Sequence, residues 1–309
     1  MNNNLITIII PVFNSEKTIF DLVSNIFDSL KLDYKFEVIL INDCSSDNSD
    51  IECLKLYDKY KGKIKYYKLA KNVGEHNAVM AGLNYAMGDW IVIMDDDFQN
   101  PVSEVEKIIN FSLSNDYDVV YTHYKYKKHN IFRNLGSYFN NKVANIMLKK
   151  PNDLYLSSFK SIQSKVVKEI IKYNLPYPYI DGLILRTTRN ISSIQVKHKK
   201  RIQGKSGYTL KKLFSLWLNM FTNFSVVPLR ISTLFGFIFS FVGLIFGIIT
   251  IIEKLLYPEL PQGYPTIIIV VLLFSGMQLI FLGVIGEYLG RLFLSNNKHP
   301  QYFIDKRWE

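Results

Sequence analysis

Short apolar runs alternate with longer mixed segments over the first 125 residues of the chain. Five runs have the length and the branched or aromatic composition of buried strands: residues 5–11, 36–42, 63–69, 90–94 and 118–122. The segments between them are long enough for crossover helices. Strands that alternate with helices form a mostly parallel sheet covered by helices. The pattern predicts an α/β domain of Rossmann-like type.

Two much longer apolar runs follow in the last third of the chain. Residues 231–252 and 266–286 contain no charged side chain, and each run has about the ~20 residues that a helix needs to cross a bilayer. Two buried helices of a soluble domain are the less favoured alternative. Lys and Arg precede the first run and follow the second, whereas the connector at 253–265 is partly acidic. The positive-inside rule therefore predicts two transmembrane helices with both ends in the cytosol.

The remaining pattern divides the chain into four parts. Large apolar residues at helical spacing in residues 208–227, opposite Lys211 and Lys212, predict an amphipathic helix at the membrane surface. The N-terminal apolar run is too short for a signal peptide and has no basic leader. We expect a cytosolic domain, a juxtamembrane region, a two-helix membrane module and a cytosolic tail, with the following boundaries: 1–207, 208–230, 231–290 and 291–309.

Composition and charge narrow the range of partners. The chain of 309 residues has a net charge of +10, and much of its basic excess lies in residues 125–150 and 197–212, the latter running into the membrane module. No nucleic-acid-binding motif accompanies this charge, so lipid headgroups and phosphate ligands are the favoured partners and nucleic acid is not. Cys44 and Cys53 have no histidine pair at metal spacing, and we interpret both as reduced thiols.

Three consecutive carboxylates, Asp95, Asp96 and Asp97, follow the fourth predicted strand. Adjacent carboxylates repel one another unless a cation neutralises them. Mg²⁺ or Mn²⁺ bound by one or two carboxylates usually completes its coordination with water and substrate phosphates. An acidic cap on the helix that begins near Ser103 is the alternative, but a cap needs one carboxylate rather than three. The cluster predicts a divalent cation site.

Polar segments also follow the first three strands, at residues 11–16, 42–47 and 71–77. Ser15 and Ser46 could each be a helix N-cap, but the carboxyl ends of parallel strands meet at one edge, where such sheets bind ligands. No strand is followed by GxGxxG or GxxxxGK[ST], which excludes the usual dinucleotide dehydrogenase and the P-loop kinase. The arrangement favours a nucleotide sugar whose diphosphate is held by a metal.

Five segments resemble, in order, the motifs of family 2 glycosyltransferases of GT-A fold: PVFNSE at 11–16, NDCSSDNS at 42–49, NVGEHNAVMAGL at 72–83, GDWIVIMDDDFQNP at 88–101 and RIQGKSGY at 201–208. With the two apolar runs and GEYLGR at 286–291, the chain more narrowly resembles the polyprenyl-phosphate glycosyltransferases. That group includes dolichyl-phosphate mannose synthase, GtrB-like enzymes and undecaprenyl-phosphate aminoarabinose transferase. Four features depart from the pattern. The chain has Asn14-Ser15-Glu16 where Asn-Glu is common and Asn42 where aspartate is common. It also has Asp96 where a small residue is usual, and Lys127 where arginine is common.

The resemblance implies metal-dependent, inverting transfer of one sugar from a UDP- or GDP-linked donor to a polyprenyl phosphate, with Mg²⁺ or Mn²⁺ as cofactor. By the same resemblance, the donor nucleotide contacts Pro11, Val12, Asn14, Glu16, Asp43 and Asp95. The metal ligands would be Asp95, Asp97 and Gln99. The groups that bind phosphates would be Lys127, Arg133, Arg201, Ser206 and Tyr208.

Asp153 and Asp181 are the candidates for orienting the acceptor or the sugar, and either could instead be a structural loop residue. We expect His76 to serve in packing or helix capping rather than in catalysis. Membrane lipids are the other expected partners, and the transmembrane helices offer a surface for a homo-oligomer.

Two alternatives remain open. A processive polysaccharide synthase typically has a QxxRW motif before a larger membrane channel, whereas Arg307-Trp308 here follows the second apolar run. A non-enzymatic membrane scaffold would leave the aspartate cluster unexplained.

Overall fold

A computed structural model describes residues 4–30, 34–124, 151, 154–197, 227–256, 263–297 and 300–309. The described residues form two compact units. One unit contains the residues up to 197 together with 300–309, and the other contains residues 227–297. The four-part boundaries expected from the sequence stay a prediction, but residues 300–309 of the expected tail belong structurally to the first unit.

The centre of the first unit is a parallel sheet in the order β4-β1-β2-β3. Its strands are β1 (Leu5–Val12), β2 (Lys35–Asn42), β3 (Ile64–Leu69) and β4 (Trp90–Ile93). The connecting helices are α1 (Ile19–Ser29), α2 (Ser49–Lys59) and α3 (Glu75–Tyr85). The predicted alternation of strand and helix is confirmed, and the fold is the Rossmann-like α/β domain that the pattern predicted.

Further strands extend both edges of this central sheet, and of these the sequence predicted only the run at 118–122. The remaining strands are β5 (Val119–Tyr124), β6 (Lys160–Gln163), β7 (Ile191–Val196) and β8 (Ile304–Trp308). The remaining helices of this unit are α4 (Val102–Ser114), α5 (Ser164–Ile170) and α6 (Ile180–Thr187). Among the described residues the sheet order is β7-β5-β6-β4-β1-β2-β3-β8. β6 is antiparallel to β4 and β5, and β8 is antiparallel to β3.

The core lies between the sheet and its helices. In β1 every residue from Ile6 to Ile10 is fully buried, as expected for a central strand that helices cover on both faces. Helix α1 buries residues at intervals of three and four: Ile19, Leu22, Val23 and Ile26. This spacing produces one apolar face on a helix. Burial of these faces holds the loops at the strand ends in place.

The second unit consists of two long helices, α7 (Val227–Leu256) and α8 (Tyr264–Asn296). Phe239 and Phe274 make an edge-to-face contact between them, with ring centroids 6.0 Å apart. The segments Ser232–Ile249 and Phe274–Leu294 are long and apolar enough to cross a membrane, and none of their length is buried. The predicted pair of apolar helices is thus confirmed. The predicted amphipathic helix at 208–227 lies outside the described residues, apart from Val227.

Candidate active site

The loops that follow β1, β2 and β4 meet at one edge of the sheet because these three strands are adjacent and parallel. Side-chain hydrogen bonds join the loops. The Phe13 amide donates to Asp96 Oδ2 (3.2 Å), and the Ser15 hydroxyl donates to the same oxygen. The Asn14 amide donates to Ser45 Oγ (3.0 Å). The sequence expectation that polar strand ends converge is therefore met by the geometry.

Within the aspartate cluster each carboxylate has a different partner. Asp95 Oδ2 accepts a hydrogen bond from the Ser158 hydroxyl (2.6 Å). Asp96 is bonded to the loop after β1. Asp97 is buried, with one oxygen accepting from the Gln99 amide at 3.1 Å. The loop after β4, which carries all three aspartates, is therefore bonded both to the loop after β1 and to the segment before β6, and Asp96 is held by protein donors.

Burial raises the pKa of Asp96 to about 7, although the bonds from Ser15 and Phe13 oppose the shift. Burial also raises the pKa of Asp95, and the nearby carboxylates of Glu75 and Asp97 add to the effect. Removing a carboxylate from water disfavours its charged form, and like charges disfavour it further. A cation is the group that would reverse both penalties.

Left-handed backbone occurs in the loops after β1, β2 and β4. Asn14 has φ of 55°, Cys44 has φ of 54° and Phe98 has φ of 61°. Asparagine tolerates this region, but cysteine and phenylalanine rarely adopt it. Such conformations cost energy and cluster at ligand sites, where the surrounding structure over-determines them. These strained positions independently mark the same edge of the sheet.

Asp43, at the end of β2, fixes a fourth loop to this edge. It is almost fully buried, and its two oxygens accept from the amides of Val73 (2.7 Å) and Gly74 (2.9 Å). Burial raises the pKa of Asp43, and these two bonds partly oppose the shift. Asp43 therefore fixes the loop after β3 to this edge of the sheet, and its contact with the nucleotide stays a prediction.

The other predicted nucleotide-binding residues of the first loop differ in exposure. Asn14 is exposed and Pro11 is partly buried, whereas the Val12 side chain lies in the core. Glu16 joins two loops, because its Oε2 accepts from the Asn48 amide (3.1 Å) and its own amide donates to Asp47 Oδ2 (3.1 Å). Asn14 and Pro11 are thus the more accessible members of this set.

Asp181, a predicted orienting residue on α6, forms a buried ion pair with Lys160 on β6. The Tyr121 hydroxyl donates to the same carboxylate oxygen (2.8 Å). Lys160 is only 4% exposed, and its positive charge opposes the rise in the pKa of Asp95. Sequence analysis did not predict Lys160. Its signal in the sequence is a lysine close to two large apolar residues, Phe159 and Ile162.

His76 lies on α3 close to this ion pair. Its ring packs edge-on against Tyr179, with centroids 5.1 Å apart. Burial lowers the pKa of His76 to about 4, although the Asp181 carboxylate opposes the shift. The imidazole is therefore neutral at physiological pH, in keeping with the packing role predicted for it.

A cavity of about 180 Å³ opens beside the aspartate cluster. It is lined by Asp95, Gln99, Asn100, Tyr124, Tyr155 and residues 156–158. Tyr124 and Tyr155 face each other edge-on, with ring centroids 6.4 Å apart, and the Tyr124 hydroxyl donates to Asn100 Oδ1 (3.2 Å). The cavity thus presents hydroxyl, amide and aromatic groups next to Asp95.

The predicted metal ligands are oxygen donors near this cavity. In the described part of the chain, no three His, Cys, Asp or Glu side chains are grouped closely enough to hold a metal by themselves. Two carboxylates and an amide oxygen suit Mg²⁺ or Mn²⁺, which take remaining ligands from water and phosphates. The residues therefore fit the ion that the sequence predicted.

The other predicted site residues lie outside the described residues: Lys127, Arg133, Asp153, Arg201, Ser206 and Tyr208.

An α/β sheet with an acidic cluster at the carboxyl edge of its central strands is the arrangement of a GT-A glycosyltransferase. The family model for glycosyl transferase family 2 matches residues 7–171, more than half of the chain, and the model for the GtrB C-terminal hairpin matches residues 227–292. The chain belongs to glycosyl transferase family 2, and it is a glycosyltransferase.

The chain is similar over nearly its whole length to two undecaprenyl-phosphate 4-deoxy-4-formamido-L-arabinose transferases. The protein from Proteus mirabilis is 28% identical over 98% of this chain and 94% of its own. The protein from Yersinia enterocolitica is 29% identical over 97% of this chain and 93% of its own. The fold is also similar to that of glucosyl-3-phosphoglycerate synthase from Mycobacterium tuberculosis, solved with Mn²⁺, uridine diphosphate and phosphoglyceric acid bound. The two chains are 15% identical in sequence, and the TM-score is 0.50 over 70% of this chain and 75% of that protein.

Proposed function

We propose that the protein transfers one sugar from a UDP- or GDP-linked donor to a polyprenyl phosphate such as undecaprenyl phosphate at the cytosolic membrane face. One observation carries the proposal: a single chain combines an oxygen-rich sheet edge, suited to a nucleotide sugar, with two exposed apolar helices of membrane length. The relatives that match over the whole chain are named for undecaprenyl-phosphate sugar transfer. Their names support a lipid phosphate as the acceptor class.

Asp97 and Gln99, with Asp95 beside them, are the proposed holders of Mg²⁺ or Mn²⁺. Asp97 is fixed at the end of β4 by burial and by its bond to the Gln99 amide. When bound, the ion neutralises the charge that develops on the departing nucleoside diphosphate. Asp96 contributes by holding the loop after β1 against the cluster, which keeps Asn14 at the edge of the site.

The acceptor chemistry makes few demands on protein bases. A lipid phosphate is already anionic near neutral pH, so it can attack the anomeric carbon once the two substrates are aligned. Asp181 is held by Lys160 and Tyr121, and we assign it to positioning the Lys160 ammonium near Asp95. Direct attack without a covalent enzyme intermediate inverts the anomeric configuration.

The path of the chain supports location in the membrane. Strand β8 follows α8 shortly in sequence and is part of the sheet that contains the site. The chain therefore leaves the catalytic unit, passes through α7 and α8, and returns to the same unit. We therefore expect α7 and α8 to cross the bilayer as a pair, which their exposed apolar side chains favour.

A transfer assay tests this function. Membranes containing the protein are incubated with undecaprenyl phosphate and a panel of radiolabelled UDP- and GDP-sugars, with Mn²⁺, with Mg²⁺ or with excess EDTA. We expect label in a lipid-phosphate product that carries one sugar, only when metal is present, and an inverted anomeric configuration by proton NMR. Label in long polymer would favour the processive synthase instead, and absence of transfer from every donor would contradict the proposal.

Asp97→Asn tests the metal site. We expect this change to lower transfer by about a hundredfold or more, because it removes a charged ligand from the ion that stabilises the leaving group. The matched control is Asp58→Asn, which alters an exposed aspartate on α2 and should leave the rate unchanged. Metal-dependent transfer by Asp97→Asn at the wild-type rate would rule out Asp97 as a ligand.

A further inference from the structure

We propose that strand β8 is a positioning element for the donor nucleotide, acting from Trp308 through Tyr66 and Asn42 on the loops after β1 and β2. This inference rests on the proposed function, because it assumes that those loops bind the donor nucleotide. It assigns a role to a segment that lies beyond the two apolar helices in sequence, where the sequence predicted only a tail.

Strand β8 is fastened to the outer edge of the sheet at both of its ends, with one register shift between Lys68 and Leu69 of β3. It pairs antiparallel with β3, with Trp308 opposite Tyr66. Just before the strand, the Phe303 carbonyl accepts from the Ala70 amide (2.9 Å). Just after it, the Glu309 carbonyl accepts from the Tyr57 hydroxyl (2.9 Å). The segment is therefore a fixed part of the catalytic unit.

The Trp308 ring covers Tyr66 on one face of the sheet. The two ring centroids are 4.8 Å apart and the ring planes are inclined by 15°. Tyr66 is fully buried, and aromatic stacking adds to the free energy gained by burying its ring. Trp308 thus limits the positions open to the Tyr66 hydroxyl.

The Tyr66 hydroxyl is the first member of a hydrogen-bond relay that leads to the site. It accepts from Asn42 Nδ2 (3.0 Å) and donates to Asp50 on α2. Asn42 Oδ1 in turn accepts from the Ser45 amide (2.9 Å). Ser45 Oγ then accepts from the Asn14 amide (3.0 Å). Each step from the sheet to the exposed Asn14 therefore rests on a defined side-chain contact.

The relay ends at Asn14, and Cys44 lies beside Ser45 within it. Asn14 and Cys44 both have left-handed backbone, a conformation that persists only where surrounding contacts hold it. Asn14 Oδ1 also accepts from the Ser46 amide (2.9 Å), so the loops after β1 and β2 are locked to each other. Loss of the Tyr66 hydroxyl would leave the buried Asn42 amide group without its acceptor. The strained loops would then lose part of the support that selects their conformation.

A purely structural role for β8 makes a different prediction from a positioning role. Adjacent residues of a strand point to opposite faces of the sheet. Tyr67 therefore points away from Tyr66 and does not join the relay. It still contacts the residues at the end of β8, because its hydroxyl donates to Glu309 Oε1 (3.1 Å). Tyr66→Phe and Tyr67→Phe each remove one hydroxyl from neighbouring positions of β3. They form a matched pair that differs in connection to the nucleotide loops.

The test is calorimetric titration of the full-length protein in detergent with UDP and with GDP, each with Mn²⁺ present. We expect Tyr66→Phe to weaken binding of the preferred nucleotide by about tenfold, and Tyr67→Phe to change it by less than about twofold. At saturating donor, the transfer rate of Tyr66→Phe should stay close to that of the wild type, because the loss lies in donor binding. Trp308→Ala should weaken nucleotide binding, and Trp308→Phe, which keeps an aromatic ring against Tyr66, should restore it.

The outcomes separate this proposal from the proposed function. If the wild-type protein binds neither nucleotide, the proposed function fails and the positioning role fails with it. If the wild type binds and both tyrosine variants bind equally well, or equally poorly, β8 serves stability alone and only the positioning role is overturned. Thermal unfolding of each variant, followed by circular dichroism, shows whether a lost affinity reflects a lost fold. Tyr66→Phe supplies the answer even if Trp308→Ala does not fold.

Discussion

Lys160 and Asp181 show how a single buried pair can be required both for stability and for the electrostatics of the site. Their charges lie in the interior, with Tyr121 supplying a further hydrogen bond. Breaking such a pair by removing one partner leaves an uncompensated charge, which costs far more than losing an exposed pair. The same lysine opposes the high pKa of Asp95. The effect of this pair on folding stability can be separated from its effect on the charge of the site by replacing either Asp181 alone or both Asp181 and Lys160.

Asp181→Asn should lower the free energy of unfolding by about 3–5 kcal/mol, because Lys160 keeps its charge without a counterion. Glu169→Gln is the control, since Glu169 pairs with Lys172 on the surface. Combining Asp181→Asn with Lys160→Met should recover part of the stability but leave transfer impaired. Urea unfolding followed by circular dichroism gives the free energies, and equal stability of Asp181→Asn and Glu169→Gln would refute this account of the pair.

His76 gives a pH dependence whose sign follows from its environment. Burial lowers its pKa to about 4 in the folded protein, whereas an unfolded histidine titrates near 6.5. Between these values the unfolded chain binds more protons than the folded one. The free energy of unfolding that the neutral His76 contributes is therefore fully present above pH 6.5. It is lost progressively as the pH falls from 6.5 to 4.

We expect the melting temperature of the wild type to fall more steeply than that of His76→Gln as the pH is lowered through this window. The variant lacks the ionisable ring, whereas the titration of Asp95 and Asp96 is common to both proteins. Differential scanning fluorimetry across the pH range measures the two slopes. Parallel curves would show that the imidazole is not kept neutral by burial.

At the level of the elements, the five strands predicted from the sequence are those rich in apolar, branched or aromatic residues. β1 is buried throughout its centre, and its residues are apolar enough that no other element type competes. β6 has the sequence KSIQ, β7 has ISSIQV and β8 has IDKRW. None of these short strands has a continuous apolar run or a clear alternation. Their existence depends on partners distant in sequence, which local pattern does not reveal.

In the candidate site, too, the sequence predicted what local pattern determines and missed what depends on contacts between distant segments. The loops with Asn14, Asp43 and Asp95 could be placed at one edge because parallel order determines where strand ends meet. Lys160 could not be placed beside Asp181, because their contact depends on insertion of β6 antiparallel between β4 and β5. Nor could Trp308 be placed on Tyr66, since β8 returns to the sheet only after the two long helices.

Close packing of β1 against the turn before β4 gives a prediction about one glycine. A Cβ atom at Gly88 would lie 2.6 Å from the Thr7 amide nitrogen and 2.9 Å from the Leu5 carbonyl oxygen. These are backbone atoms of a central strand, which cannot move aside as a side chain can. We expect Gly88→Ala to destabilise the protein by about 1–3 kcal/mol or more. Met87→Ala, at an exposed neighbouring position, should change stability by no more than about 0.5 kcal/mol in the same urea titration.

At the scale of the whole molecule, β8 constrains the topology in the membrane. The sheet contains strands from both sides of the two-helix segment in sequence, so we expect the chain to begin and end that segment on the side where the catalytic unit folds. An even number of crossings satisfies this requirement, and the described chain offers two helices of sufficient length. Gly263, which precedes α8, should then face the opposite side of the membrane from Asn297, which follows it.

Cysteine labelling in right-side-out vesicles tests this topology. In a background of Cys44→Ser and Cys53→Ser, which removes both native thiols, we expect Gly263→Cys to react with a membrane-impermeant maleimide in sealed vesicles. Asn297→Cys should react only after detergent opens them, because the bilayer separates it from the reagent. Reaction of both positions in detergent is the control for accessibility. If both react equally in sealed vesicles, α7 and α8 do not span the bilayer, and polyprenyl phosphate must reach the aspartate cluster by a route that does not involve a transmembrane anchor.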